Sequence, residues 1–118
     1  MTALRWPRKV RIAGLVVPVR YVRVVSSSDD VPVAGTFCRT TQRIEIEKTT
    51  NDHVRYMLLC HEMLHAWYWV HVKRPDKTRL TEERAVSLMA GAMAAIWLDN
   101  PPVRRLAEQL GKRRPKAK

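Results

Sequence analysis

The amino-acid sequence predicts an α+β fold in which N-terminal β-hairpins form a small sheet packed on two long helices. Two patterns carry this expectation. Up to residue 47, apolar and polar residues alternate in short β-branched runs, most clearly in Arg43-Ile44-Glu45-Ile46-Glu47. Beyond residue 50, apolar residues recur at helical spacing in two long blocks. A chain of 118 residues suits one core of ordinary size. The single domain is assigned to residues 1–111, with 112–118 a basic, disordered tail behind a Gly111 helix stop.

The elements follow in order. Lys9 to Ile12 alternates, Ala13-Gly14 is a turn signal, and Val16 to Val25 is β-branched, so a first hairpin is expected with Pro18 marking an edge. Ser26 to Asp30 reads as a loop. Val33 to Cys38, carrying Gly35, pairs with Arg43 to Glu47 as a second hairpin. Asn51 or Asp52 caps a helix whose Val54, Met57, Leu58, His61, Leu64, His65, Tyr68 and Val72 share helical spacing, and Lys73-Arg74-Pro75-Asp76 ends it. A second helix starts near Thr81, turns Val86, Met89, Met93 and Ile96 inward, and stops at Asn100-Pro101-Pro102. A short last helix spans Val103 to Leu110.

The formal charge of +11 is concentrated at the two ends. Residues 1–23 hold six basic residues and no acid, residues 103–118 hold seven against Glu108, and the stretch between is almost balanced. The ends are therefore expected to be solvated, with weak, non-specific attraction to nucleic acid or another polyanion. No apolar run approaches the length of a membrane span, and the basic N-terminus lacks the apolar stretch of a signal peptide. Cys38 and Cys60 read as thiols in a reducing cytoplasm.

The chemistry-bearing segment is His61-Glu62-Met63-Leu64-His65, an H-E-x-x-H motif inside the first long helix. Two imidazoles four residues apart share a helix face and can converge on one Zn²⁺, while a glutamate one position on stands beside the metal as a general base for its bound water. Such a centre needs a third protein donor. His71 completes a metzincin-like spacing, but Tyr68 stands where that spacing has Gly, and in a continuing helix His71 lies roughly 9 Å along the axis and about 240° round from His65. Glu82 and Glu83, in the first turn of the next helix, are the other candidates, and the apolar stripe does not separate them. Candidates to stabilise an oxyanion are His53, Tyr56, Tyr68 and Arg79.

The Gly35-to-Glu47 hairpin, Leu58 to Ala66 around the motif, Leu80-Thr81-Glu82-Glu83 to Val86, and Leu98-Asp99-Asn100-Pro101 together resemble the small phage and prophage zincin-like metallopeptidases of the ImmA/IrrE-type and SprT-like groups. The resemblance covers about residues 8–102. It implies a minimal zincin-like fold, residence in a bacterial host's cytoplasm, and Glu83 as third ligand, with His61, His65 and Glu83 holding Zn²⁺ and Glu62 as the catalytic base. Arg84 departs from the acid or Gln of many relatives. The expected function is zinc-dependent hydrolysis of peptide bonds, the substrate lying along the strand Arg43–Glu47. The rival is an inactive zincin-shaped protein that binds nucleic acid or an acidic partner through its basic ends.

Overall fold

In the computed structural model, residues 4–25, 33–48, 51–71 and 82–113 are described, without the side chains of Glu82, Glu83, Arg84 and Val86. The strands are β1 (Lys9–Ile12), β2 (Leu15–Val22), β3 (Gly35–Cys38) and β4 (Arg43–Glu47), and the helices are α1 (Asp52–His71), α2 (Glu82–Asp99) and α3 (Pro101–Lys112). Loop residues 26–30, the expected helix end at 73–76, Thr81, Arg79 and the tail beyond Arg113 lie outside the described residues.

The two hairpins merge into one open, four-stranded sheet of order β1-β2-β4-β3. The β1–β2 hairpin closes through Ala13 (φ 49°) and Gly14 (φ 84°), and Ile12 faces Leu15 across this two-residue turn. Positive φ at both central residues is the twist-matched hairpin geometry, and only Gly14 adopts it without steric cost. β2 is shared lengthwise: Leu15–Pro18 pairs antiparallel with β1, and Val19–Val22 pairs parallel with β4. Pro18 therefore sits where β2 has a partner on one side only, which accommodates its missing N–H. β4 lies between β2 and β3. It cannot be the substrate edge expected of it; the sheet's edges are β1 and β3.

The expected pair of long helices is corrected to three helices. α3 is a full core element, with Val103, Leu106 and Leu110 buried on one face, and it continues through Gly111 to Lys112 instead of stopping there. The inner sheet face offers Val10, Ile12, Val17, Val19, Ile44 and Ile46, against which Leu59, Met63 and Ala66 of α1 pack. Fully burying a side chain of this size contributes on the order of 1.5–3 kcal/mol.

The inward face of α1 also differs from the expected stripe. Leu59, Glu62, Met63 and Ala66 are buried, whereas Met57 and Tyr68 are exposed. In α2, Ala92 and Ile96 turn inward while Met89 and Met93 face solvent. Both helices are apolar on most sides, so spacing defines a stripe but does not say which stripe the sheet covers. At the start of α1 it is Asn51 that caps, its Oδ1 accepting from the Val54 N–H at 2.9 Å.

Asn100, between α2 and α3, is 4 % exposed and reaches across the molecule to β1. Its Oδ1 accepts from the Arg11 N–H at 2.8 Å, and its Nδ2 donates to the Arg11 carbonyl at 3.0 Å. One amide thus satisfies both backbone groups of an edge residue and joins the N-terminal strand to the last helix.

Candidate functional site: an imidazole pair beside the edge strand

Helical spacing brings His61 and His65 one turn apart on the exposed side of α1, as their sequence positions require. Their Nε2 atoms are 3.0 Å apart, and the rings meet edge to face with centroids 4.7 Å apart. The two ring nitrogens are thus within hydrogen-bond distance of each other.

Glu62 points elsewhere. It is 5 % exposed and lies against β3, where it accepts a hydrogen bond from the Phe37 N–H. Burial pushes its carboxyl above the usual range, and the His65 and His61 rings and the Phe37 N–H oppose that shift only in part. The close approach depends on Gly35: a Cβ there would stand 3.1 Å from Glu62 Oε2 and 3.4 Å from its Cγ. A glycine inside a strand pattern signals such an approach, and that signal was present in the sequence.

The ladder fixes what β3 offers at its outer edge. The Glu47 N–H donates to the Ala34 carbonyl at 2.8 Å, making Ala34 and Glu47 a hydrogen-bonded pair. Antiparallel pairs alternate, so Thr36 turns its backbone groups to β4 while Gly35 and Phe37 turn theirs outward. These residues and the imidazole pair line one cavity of about 280 Å³, bounded by Gly35, Phe37, Arg39, His61, Glu62 and Tyr68 among others. Arg39, which the sequence reading did not single out, lines this cavity from the turn that follows β3.

The other candidates go elsewhere. His71 stacks on Trp67 with centroids 4.0 Å apart and contacts the Trp67 carbonyl through Nδ1 at 3.0 Å. Tyr56 and Cys60 line a separate apolar cavity with Met93 and Trp97, and His53 lines a third cavity beside α3. Of the three oxyanion candidates among the described residues, Tyr68 borders the imidazole cavity. The side chains of Glu82 and Glu83 lie outside the described residues.

The zinc-peptidase expectation is corrected at this point. Among the described residues no group of three or more His, Cys, Asp or Glu side chains is arranged to hold a metal ion. A zinc centre takes three protein donors; His61 and His65 supply two, and Glu62 is engaged with β3. The expected zinc at His61, His65 and Glu83, and the activation of its water by Glu62, therefore have no complete donor set among the described residues, which do not include the Glu83 side chain. No helix among the described residues is long and apolar enough to cross a membrane. No protein-family model matches the chain, and no curated protein or solved structure matches it either, so the resemblance to zincin-like metallopeptidases finds no support in comparison.

Proposed function

We propose that this chain is a peptide-binding module that receives an extended segment along the outer edge of β3. One observation carries the reading: the outward backbone groups of Gly35 and the Phe37 carbonyl border the same cavity as His61, His65 and Glu62, while the Phe37 N–H is held by Glu62. An added strand gains affinity from main-chain hydrogen bonds and specificity from pockets that take alternate side chains. The imidazole pair, the Glu62 carboxyl and Arg39 would form one such pocket, suited to a hydrogen-bonding side chain. The free thiols of Cys38 and Cys60 fit work in a reducing cytoplasm.

The test is a screen of ten-residue peptides against the isotope-labelled chain, read by amide chemical shifts. Binding that moves the Gly35 and Phe37 amides, and that is lost when the peptide is N-methylated at alternate positions, supports the reading. Gly35→Ala should weaken such peptides at least several-fold, because its Cβ displaces Glu62. Peptides that bind equally well after N-methylation, or only shift residues of α2, would sink it.

A further inference from the structure

The basic N-terminal segment folds against the corner that precedes the last helix. The Asn100 bridge fastens β1 to the corner between α2 and α3. A groove of about 390 Å³ opens there, lined by Arg8, Lys9 and Arg11 on one side and Asp99, Pro101 and Pro102 on the other. Lys9 and Arg11 face away from the core, opposite Pro18 and Val16, and Arg20 extends the same outer sheet face. All four cations are exposed, and none has a carboxylate within ion-pair distance among the described residues. The acids facing this surface are Asp99 at the rim, Glu45, which lies across from Arg20 and is engaged by Arg43 at 2.9 Å, and Glu47, which lies across from Val22 on the same face. Exposed cations left in excess over acids, on a rigid hairpin, form a site for a polyanion.

We propose that this surface, the outer face of the β1–β2 hairpin with its adjoining groove, binds nucleic acid through the phosphate backbone. Residues two apart on one strand face stand about 6.7 Å from each other. Successive phosphates of one duplex strand rise about 3.4 Å along the axis while winding round it, so they stand farther apart than that rise, and Lys9 and Arg11 can serve neighbouring phosphates. An anionic lipid surface fits less well, because the apolar neighbours on this face are the small Val16 and Pro18 rather than the Trp, Phe or Leu that anchor interfacial segments. The contact reads charge and spacing, not base sequence.

The experiment is fluorescence anisotropy of a labelled 20-base-pair mixed-sequence DNA duplex with the full chain between 50 and 200 mM NaCl. Each phosphate contact contributes about −0.9 to the slope of log K against log salt. Lys9→Ala with Arg11→Ala should therefore make the slope shallower by about 1.8 and cut the loss of affinity over this fourfold salt range by about twelvefold. Both side chains are exposed and the ladder is backbone-borne, so thermal unfolding should be unchanged; Arg20→Ala alone gives an independent reading of about half that change in slope. A full chain with Arg114, Lys116 and Lys118 all changed to Gln should still bind with the hairpin-dependent slope. Loss of all binding in that variant overturns the proposal. So does equal binding to polyglutamate, or to vesicles containing phosphatidylserine.

Discussion

Replacing Asn100 tests how the N-terminal strand is held to the last helix. Asparagine before a proline-started helix is ordinarily read as an N-cap, yet its side chain makes no capping hydrogen bond here. It is committed instead to the two backbone groups of Arg11, at 2.8 and 3.0 Å. A net contribution of about 1 kcal/mol per bond, with a penalty for part-buried groups left unpaired, puts Asn100→Ala at about 2–3 kcal/mol. For a chain of this size that lowers the melting temperature by roughly 10 °C. Asn100→Asp separates the two readings. As an N-cap, aspartate would be neutral or better, because it favours a helix N-terminus by about 0.3–1 kcal/mol. As a bridge it keeps the acceptor for the Arg11 N–H but turns a second acceptor toward the Arg11 carbonyl, so at neutral pH it should destabilise about as much as alanine. Acidification should restore part of the loss, since a protonated Asp regains a donor. Urea unfolding followed by tryptophan fluorescence measures all three forms. Asn100→Asp as stable as the parent at pH 7, or Asn100→Ala costing less than about 0.5 kcal/mol, refutes the bridge.

Three further outcomes follow from single residues. The Glu62 carboxyl is held above its usual range by burial, so over the window just above the ordinary carboxylate value the folded chain keeps a proton that the unfolded chain has lost. Its contribution to stability is full below that window and is lost as pH rises through the raised folded value; Glu62→Gln should abolish this decline in a pH series of urea midpoints, and an unchanged series contradicts it. Thiol chemistry should distinguish the cysteines: hydrogen bonds from Thr41, side chain then backbone, draw the Cys38 thiol down, while burial pushes Cys60 up. Cys38 should react first with a disulfide reagent, and Thr41→Ala should slow it; faster labelling of Cys60, located by peptide mapping, would show the reverse order. Ala13→Asn should stabilise the chain by roughly 0.5–1 kcal/mol by relieving the positive φ of a side-chain-bearing turn residue, and a drop in melting temperature would count against that turn geometry.

The strands were legible because alternation and turn chemistry are local. Lys9–Ile12, Arg43–Glu47 and the Ala13-Gly14 turn fall where the sequence sets them. Which strand lies at an edge was not legible. β4 has the cleanest alternation yet is interior, and Pro18 sits in a strand that lies between two others in the sheet but pairs with β1 along Leu15–Pro18 and with β4 along Val19–Val22. The pairing of His61 with His65 was legible from helical spacing alone, and it survives as geometry. Chemistry did not follow from it, since a metal centre depends on donors from several elements.

By itself the sequence determined the local elements, the shared face of His61 and His65, and the placement of charge at the two ends. Those properties depend on residues a few positions apart, where backbone geometry leaves little choice. The tertiary structure decided the rest. It chose which stripe of two broadly apolar helices to bury, pressed Glu62 against Gly35 and Phe37, and set Arg39 over their cavity. It also drew Arg11 to Asn100, 89 residues away, and so fastened the basic N-terminal hairpin to the corner before the last helix. No local pattern encodes those contacts, because each is fixed by the packing of elements that the chain joins only at a distance.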